Sequence, residues 1–167
     1  MKHNYTKRIL AIDPGTRYLG YAVLHGGELL YHGVKVLPPG LDKQGAVQAV
    51  RKVGNEIIGH LKPNVLAIEV SFRGRTPRMS THVAIVRTLA RLGKQHGLKI
   101  RAYSPSSVRK FLCGLGGANK RQVAFMVTWR FPELRSFVVR ERRWKERFHG
   151  HMFDAVAVGL KAQDDLK

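Results

Sequence analysis

Apolar residues near the beginning of the chain cluster in three short runs separated by turn residues. The runs are RILAID at 8–13, LGYAVL at 19–24 and ELLYHGVKV at 28–36. Pro14-Gly15 follows the first run and Gly26-Gly27 the second, and both pairs are typical of tight turns. Short apolar runs joined in this way predict three strands in an antiparallel meander.

After residue 40 the apolar spacing becomes helical. Apolar residues recur every three or four positions from Ala46 to Leu61, Asp42 precedes them as a cap, and Pro63 ends the segment. The next run, NVLAIEV at 64–70, is almost wholly apolar, which predicts a strand buried on both faces.

The second part of the chain alternates helical and strand patterns. The predicted segments are a helix at about 79–96, a strand at about 98–103, a helix that Ser104 caps with Pro105 at its first position, a helix from near Ala118 and a last helix at about 150–161. Together with the meander they predict an α/β fold, a mixed five-stranded sheet flanked by helices. We expect one domain over 1–167.

One segment before the last helix does not fit this alternation. The stretch RSFVVRERRWKER at 135–147 holds six basic and two acidic residues. We expect a basic arm over about 131–149 that is mobile or is ordered by nucleic acid.

Charge sets this chain apart from an ordinary globular protein. Its 44% apolar and 25% charged residues are usual, but 30 Lys and Arg against 11 Asp and Glu give a net charge of +19. Such a surface attracts polyanions, of which nucleic acid is the commonest large one. Because ribosomal and architectural proteins share this property, the charge predicts a partner and not an activity.

Cysteine content and hydropathy predict the compartment. Cys113, in the run VRKFLC, is the single cysteine, so it cannot form an intrachain disulfide and is interpreted as a small core residue. No run approaches the roughly 18 apolar residues of a membrane span, and MKHNYTKR lacks the apolar segment of a secretory signal. We expect a soluble intracellular protein without a membrane partner.

Two acids lie at the ends of predicted buried strands. Asp13 has an ordinary explanation, since Asp-Pro-Gly starts turns well. Glu69 interrupts an apolar strand, where an unpaired carboxylate is costly to bury. It therefore requires either a structural ion pair with an arginine or a bound cation.

A third acid and an imidazole lie in HGHMFDAVAV. His151 and Asp154 are three residues apart, which places them on one face of a helix. They are predicted to converge with Asp13 and Glu69 beside the carboxyl ends of parallel strands, where α/β sheets place ligands. Because gathered carboxylates repel one another, the cluster favours a hard divalent cation, Mg²⁺ or Mn²⁺. An acidic metal pocket within a basic surface is typical of a metal-dependent nuclease.

Four blocks of the sequence resemble, in order and spacing, the motifs of the RuvC family of Holliday-junction resolvases, within the RNase H-like superfamily. The blocks are IDPGTRYLGYAV, AIEVSF, PSSVRKFLCGLGGANKRQVAFMV and HMFDAVAV, between about Arg8 and Leu160. The resemblance implies an RNase H-like sheet, a homodimer, and two-metal hydrolysis of phosphodiesters at symmetric positions across a four-way DNA junction.

The resemblance also implies roles for single residues. Asp13, Glu69, His151 and Asp154 would hold two Mg²⁺ ions, with Asp13 between them, and Lys120 would be a further catalytic residue. Many members carry Asp where this chain has His151, so Mn²⁺ is an alternative. The expected DNA-binding residues are Phe72, Arg73, Arg75, Arg78, Arg109, Lys110, Lys120 and Arg121.

Two of these assignments have physical alternatives. Phe72 would stack on an unpaired base, or else is a core residue at a strand end. Lys120 and Arg121 open a helix, where positive charge opposes the macrodipole unless a phosphate lies there. The alternative for these two is a solvated basic face.

Two features depart from the family pattern. The helix MSTHVAIVRTLARLG lacks the Gln-Ala-Arg-Gly run of the family's dimer-forming helix, so the dimer geometry is left open. The basic arm is longer than the usual link, and its charge would widen the choice of substrate.

We therefore expect an endonuclease that resolves four-way junctions and leaves 5′-phosphate and 3′-hydroxyl ends. A branch-migration helicase is an expected partner and the cytoplasmic nucleoid the expected location. The alternatives are a bacteriophage or organellar relative that cuts three-way, flap or replication branches, an RNA-processing relative, and a junction-binding architectural protein with an inactive pocket. An ATP-using enzyme is disfavoured because GLGG lacks the Gly-Lys-Ser/Thr ending of a phosphate loop.

Overall fold

The computed structural model describes residues 7–71, 77–138 and 143–167, and no side chains at 77–79 and 143–146. Its centre is a five-stranded sheet of order β3-β2-β1-β4-β5. The strands are β1 (Ile9–Pro14), β2 (Tyr18–His25), β3 (Glu28–Val36), β4 (Val65–Glu69) and β5 (Lys99–Tyr103). This confirms the predicted mixed five-stranded sheet.

Strand direction places the acidic residues at one edge of the sheet. β1 pairs antiparallel with β2, with Asp13 opposite Gly20, and parallel with β4, with Ile12 opposite Ile68. β4 pairs parallel with β5 in turn. Asp13 and Glu69 each follow the Ile12–Ile68 pair by one residue. Because parallel strands end at the same edge, the two acids lie side by side there.

Helices cover both faces of the sheet. They are α1 (Lys43–Leu61), α2 (Pro77–Gln95), α3 (Pro105–Cys113), α4 (Lys120–Arg130) and α5 (Arg143–Asp164), with a 3₁₀ helix at Pro132–Phe137. The predicted caps are present: the Gly45 amide donates to Asp42 and the Ser107 amide to Ser104. α4 begins at Lys120, near the predicted start at about Ala118, and Asn119 caps it in a capping box with Gln122.

Alternation along β1 divides the core into two layers. Ile9 and Ala11 pack with residues of α3, α4 and α5, whereas Leu10 and Ile12 pack with residues of α1 and α2. All four side chains are at most 1% exposed. A strand buried on both faces in this way belongs to a three-layer α/β fold.

Helix α5 packs closely against the sheet because glycines lie where the two meet. A Cβ on Gly20 would overlap the carbonyl oxygen of His151. A Cβ on Gly159, within α5, would overlap Leu24 and lie 3.3 Å from the Cβ of Ala11. The two glycines therefore set the distance at which α5 presents its polar residues to β1 and β2.

The structure differs from the sequence prediction in the basic arm. Residues 132–137 form the 3₁₀ helix, in which Leu134 is fully buried, and α5 begins at Arg143 rather than near Gly150. Both ends of the expected mobile arm are thus helical, and residues 139–142 lie outside the described residues. Within the described part of the chain, no helix is both long and apolar enough to span a membrane.

Candidate active site

Asp13 and His151 form the centre of the candidate site. Asp13 is the next-to-last residue of β1 and is 8% exposed, and His151 projects from α5. The His151 Nδ1 lies 2.5 Å from the Asp13 Oδ2. Residues 138 positions apart in sequence are thus in direct contact, as their predicted convergence requires.

Glu69 ends β4 beside this pair. Burial raises the pKa of the Glu69 carboxyl to about 9, and the negative charges of Asp13 and Asp154 add to the rise. The positive charges of Arg109 and Lys120 act in the opposite direction but do not cancel it. Among the described residues Glu69 forms no ion pair, so no described arginine neutralises this mostly buried acid.

Asp154 lies on α5 and is 8% exposed. Burial raises the pKa of its carboxyl, and the nearby charge of Asp13 raises it further. Lys120, at the first turn of α4, places its Nζ 3.4 Å from the Asp154 Oδ2 and lowers the same pKa. The lysine side chain is 55% exposed, so it reaches the acid from the solvent side.

The three carboxylates meet the chemical requirements of a divalent cation site. They come from β1, β4 and α5, and the pKa values of Glu69 and Asp154 show that each feels the charge of Asp13. Hard cations bind such oxygen donors and relieve their repulsion. In the described part of the chain, however, no three His, Cys, Asp or Glu side chains already form one metal-binding group. Asp13 and Asp154 instead contact His151 and Lys120, respectively.

The contacts of Tyr18 and Gly15 with His151 were not predicted from sequence. The Tyr18 ring centroid lies 5.9 Å from that of His151 and 5.5 Å from that of Phe148. A Cβ on Gly15 would lie 3.0 Å from the His151 Cε1. Because glycine beside a strand marks the close approach of another segment, Gly15 and Gly20 on either side of Tyr18 were the signal available in the sequence.

The predicted DNA-binding residues are only partly described. Arg109 and Lys110 lie on α3, and Lys120 and Arg121 form the first turn of α4. Arg109 and Lys120 are close enough to Glu69 to lower its pKa, so they border the acidic cluster. Outside the described residues are Phe72, Arg73 and Arg75, and Arg78 lies in α2 with no side chain described.

Comparison with known proteins gives a family match for most of the chain. The sequence model of the family "Crossover junction endodeoxyribonuclease RuvC" matches residues 9–136. A protein of this name from Chlorobium phaeovibrioides is 35% identical over 125 residues, which are 71% of this chain and 66% of that relative. One from Akkermansia muciniphila is 32% identical, over 72% of this chain and 75% of the relative.

Solved structures show the same fold. Thermus thermophilus RuvC in complex with a Holliday junction substrate is 22% identical, with a TM-score of 0.72 and coverage of 95% of each chain. The yeast mitochondrial Holliday junction resolvase Ydc2 is 18% identical, with a TM-score of 0.68, over 96% of this chain and 80% of that chain.

The sequence match covers only part of the candidate site. It includes Asp13, Glu69 and Lys120 but ends before His151 and Asp154, which lie on α5. At least part of the cluster thus lies in the matched sequence, and the match covers well over half of the chain. The chain belongs to the RuvC family of crossover junction endodeoxyribonucleases.

Proposed function

We propose that this protein resolves four-way DNA junctions by divalent-metal-dependent hydrolysis at the cluster of Asp13, Glu69, His151 and Asp154. The observation that carries the proposal is the convergence of three electrostatically coupled carboxylates in a chain of net charge +19. An anionic pocket would repel a DNA phosphate unless cations occupied it. The surrounding basic residues supply the attraction for the rest of the substrate.

In this proposal Asp13, Glu69, His151 and Asp154 hold Mg²⁺ or Mn²⁺, two ions per site. When bound, such ions lower the pKa of a water nucleophile and stabilise the leaving oxygen of a phosphodiester. Lys120 orients Asp154 through its 3.4 Å contact, and the packing of Tyr18 holds the imidazole of His151. Hydrolysis breaks the bond between phosphorus and the 3′ oxygen, so water becomes part of a 5′-phosphate and a 3′-hydroxyl remains.

The proposed DNA contacts lie on two neighbouring helices. They are Arg109 and Lys110 on α3 and Lys120 and Arg121 on α4, of which Arg109 and Lys120 lie close enough to Glu69 to lower its pKa. Phosphate contacts of this kind position a duplex without reading its sequence. Two symmetric cuts across a junction require two copies of the site, so the proposed active species is a homodimer.

A panel of branched substrates tests this function. We expect end-labelled four-way junctions to receive paired, symmetric nicks that ligase reseals, only when Mg²⁺ or Mn²⁺ is present. Three-way junctions, flaps and RNA hairpins of matched length are the controls. Preferential cutting of one of these would reassign the substrate, and binding to all of them without any metal-dependent nick would contradict the nuclease proposal.

Lys120→Met is expected to raise the pKa of Asp154 further, because it removes a positive charge 3.4 Å from that carboxylate. A carbon-13 NMR titration of the metal-free protein measures this shift, and the acid limb of the cleavage–pH profile should move to higher pH with it. Lys52→Met, on the exposed part of α1, is the matched control. An unchanged Asp154 titration in Lys120→Met would show that the contact has no electrostatic effect.

A further inference from the structure

A second concave surface lies at the end of the sheet opposite the carboxylates. It is a cleft of about 670 Å³ between the start of β1, the β2–β3 turn and the ends of α3, α4 and α5. Ile9 lines it, and Asp13 lies near the other end of the same strand, four residues or roughly 13 Å away at the usual rise of a strand. The cleft is therefore separate from the candidate active site.

The wall of the cleft is apolar and partly exposed. Its apolar residues include Ile9, Phe111, Leu112, Met126, Trp129 and Leu160. Trp129 is 70% exposed, and Phe111 is 39% exposed. Large exposed aromatic residues beside a methionine are typical of the core of a protein–protein contact, and tryptophan is enriched among the residues that contribute most to binding.

The rim of the cleft is basic and one of its charges is held in place. Lys7, Arg130 and Lys167 line it, with Asp164 as the acid among the lining residues. The Arg130 Nη2 donates to the carbonyl of Gly27, 3.0 Å away, and its guanidinium lies 5.0 Å from the centroid of the Phe131 ring. Gly27 has φ +93°, and this left-handed turn brings its carbonyl to the arginine.

Arg130 has no neutralising carboxylate among the described residues. In the described ranges, neither Arg130 nor Lys7 forms an ion pair with a carboxylate, whereas Lys167 lies 3.2 Å from Asp164 in an exposed pair. Exposed pairs of this kind contribute little and exchange readily. The rim therefore offers at least two cations, one of them preorganised, to an anionic ligand.

Charge and lining together favour one class of occupant. A second copy of a chain with net charge +19 is disfavoured at a basic rim. Nucleic-acid bases bind by stacking on aromatic faces, which Phe111 and Trp129 offer. The other apolar residues of the wall have no such face and pack instead against an apolar side chain; they are Ile9, Leu112, Met126, Leu160 and Leu166. An acidic peptide with an apolar anchor residue complements both the basic charge of the rim and the apolar surface of the wall.

We propose that this cleft docks an acidic peptide segment of a partner protein, whose carboxylates face Lys7 and Arg130 and whose apolar side chain inserts beside Trp129. The surface is independent of the cutting reaction, so partner binding and junction cleavage proceed at separate ends of one molecule.

A fluorescein-labelled peptide of alternating Asp and Glu that ends in Leu-Phe tests the proposal by fluorescence anisotropy with the whole chain. Two control peptides carry Lys in place of the acids or Ser in place of Leu-Phe, and neither is expected to bind comparably. Trp129→Ser is expected to weaken binding of the first peptide about tenfold or more. Arg130→Gln should weaken it less and flatten its dependence on salt.

Phe125→Ser is the matched control, because Phe125 is 67% exposed on the same helix but does not line the cleft. Junction cleavage should be unchanged in Trp129→Ser and Phe125→Ser. The absence of saturable peptide binding at about 1 mM, or equal weakening by Trp129→Ser and Phe125→Ser, would overturn the proposal. So would displacement of the peptide by single-stranded DNA together with weaker DNA binding by Trp129→Ser, since that result assigns the cleft to nucleic acid.

Discussion

Glu69→Gln is expected to abolish junction cleavage, by more than about 100-fold, while junction binding is retained. A change in a residue that merely supports a metal ligand commonly costs 10- to 100-fold, so loss of a ligand itself should cost more. Binding depends on Lys and Arg elsewhere on the surface and should not weaken. Asp13→Asn is expected to show the same separation. Gel-shift and cleavage assays on one labelled junction measure both quantities.

The same variant should lose activity but gain stability in the metal-free protein. The pKa of Glu69 is about 9 in the folded chain, above its ordinary value of 4.5. Between these two pKa values the folded state keeps a proton that the unfolded state releases. The free energy of unfolding therefore falls as pH rises from 4.5 to about 9, and it is lowest above pH 9. One such group gives a slope of up to about 1.4 kcal/mol per pH unit. Glu69→Gln should flatten it.

Urea unfolding in chelator at several pH values measures this slope. Glu56→Gln, an exposed position on α1, is the matched control and should change neither cleavage nor the pH dependence. If Glu69→Gln cut junctions at the rate of the parent chain, Glu69 would not be a metal ligand. If the parent showed no loss of stability between neutral pH and pH 9, its carboxyl would not be desolvated as the structure indicates.

Periodicity was sufficient to predict the elements that build the sheet. The boundaries of β3 were predicted to the residue, and the caps Asp42 and Ser104 were predicted by name, because turn and cap chemistry is local. The start of α5 was placed about seven residues too late, at Gly150 rather than Arg143. Its first turns are rich in charged residues, and a polar segment lacks the periodic spacing of apolar residues from which a helix is predicted.

Strand direction was enough to predict that the acids converge, but not which side chains contact them. That β1 and β4 end at one edge is a property of any parallel pair, which is why Asp13 and Glu69 could be placed together. The contacts of Asp13 with His151 and of Asp154 with Lys120 depend on how α5 and α4 dock, which no local pattern specifies. The assignment of these residues as metal ligands stays a prediction.

Gly20→Ala is expected to destabilise the protein and to abolish cleavage in the molecules that still fold. The added Cβ would overlap the carbonyl of His151, and backbone cannot yield as a flexible side chain does. Overpacking of a tight interface costs about 1–3 kcal/mol. Because β2 meets α5 at His151, relief of the overlap must move His151, and Asp154 one turn later, away from Asp13 and Glu69.

Alanine substitutions at two other glycines distinguish an effect on cleavage from an effect on stability. Gly159→Ala also overpacks α5 against the sheet, at Leu24, but eight residues or roughly 12 Å beyond His151, so it should reduce the unfolding midpoint with a smaller effect on cleavage. Gly59→Ala in α1 meets open space and should stabilise by about 0.5–1 kcal/mol. Urea unfolding and cleavage rates, measured where every variant is folded, distinguish these outcomes. Full cleavage by folded Gly20→Ala would show that the distance between β2 and α5 does not set the position of the proposed catalytic cluster.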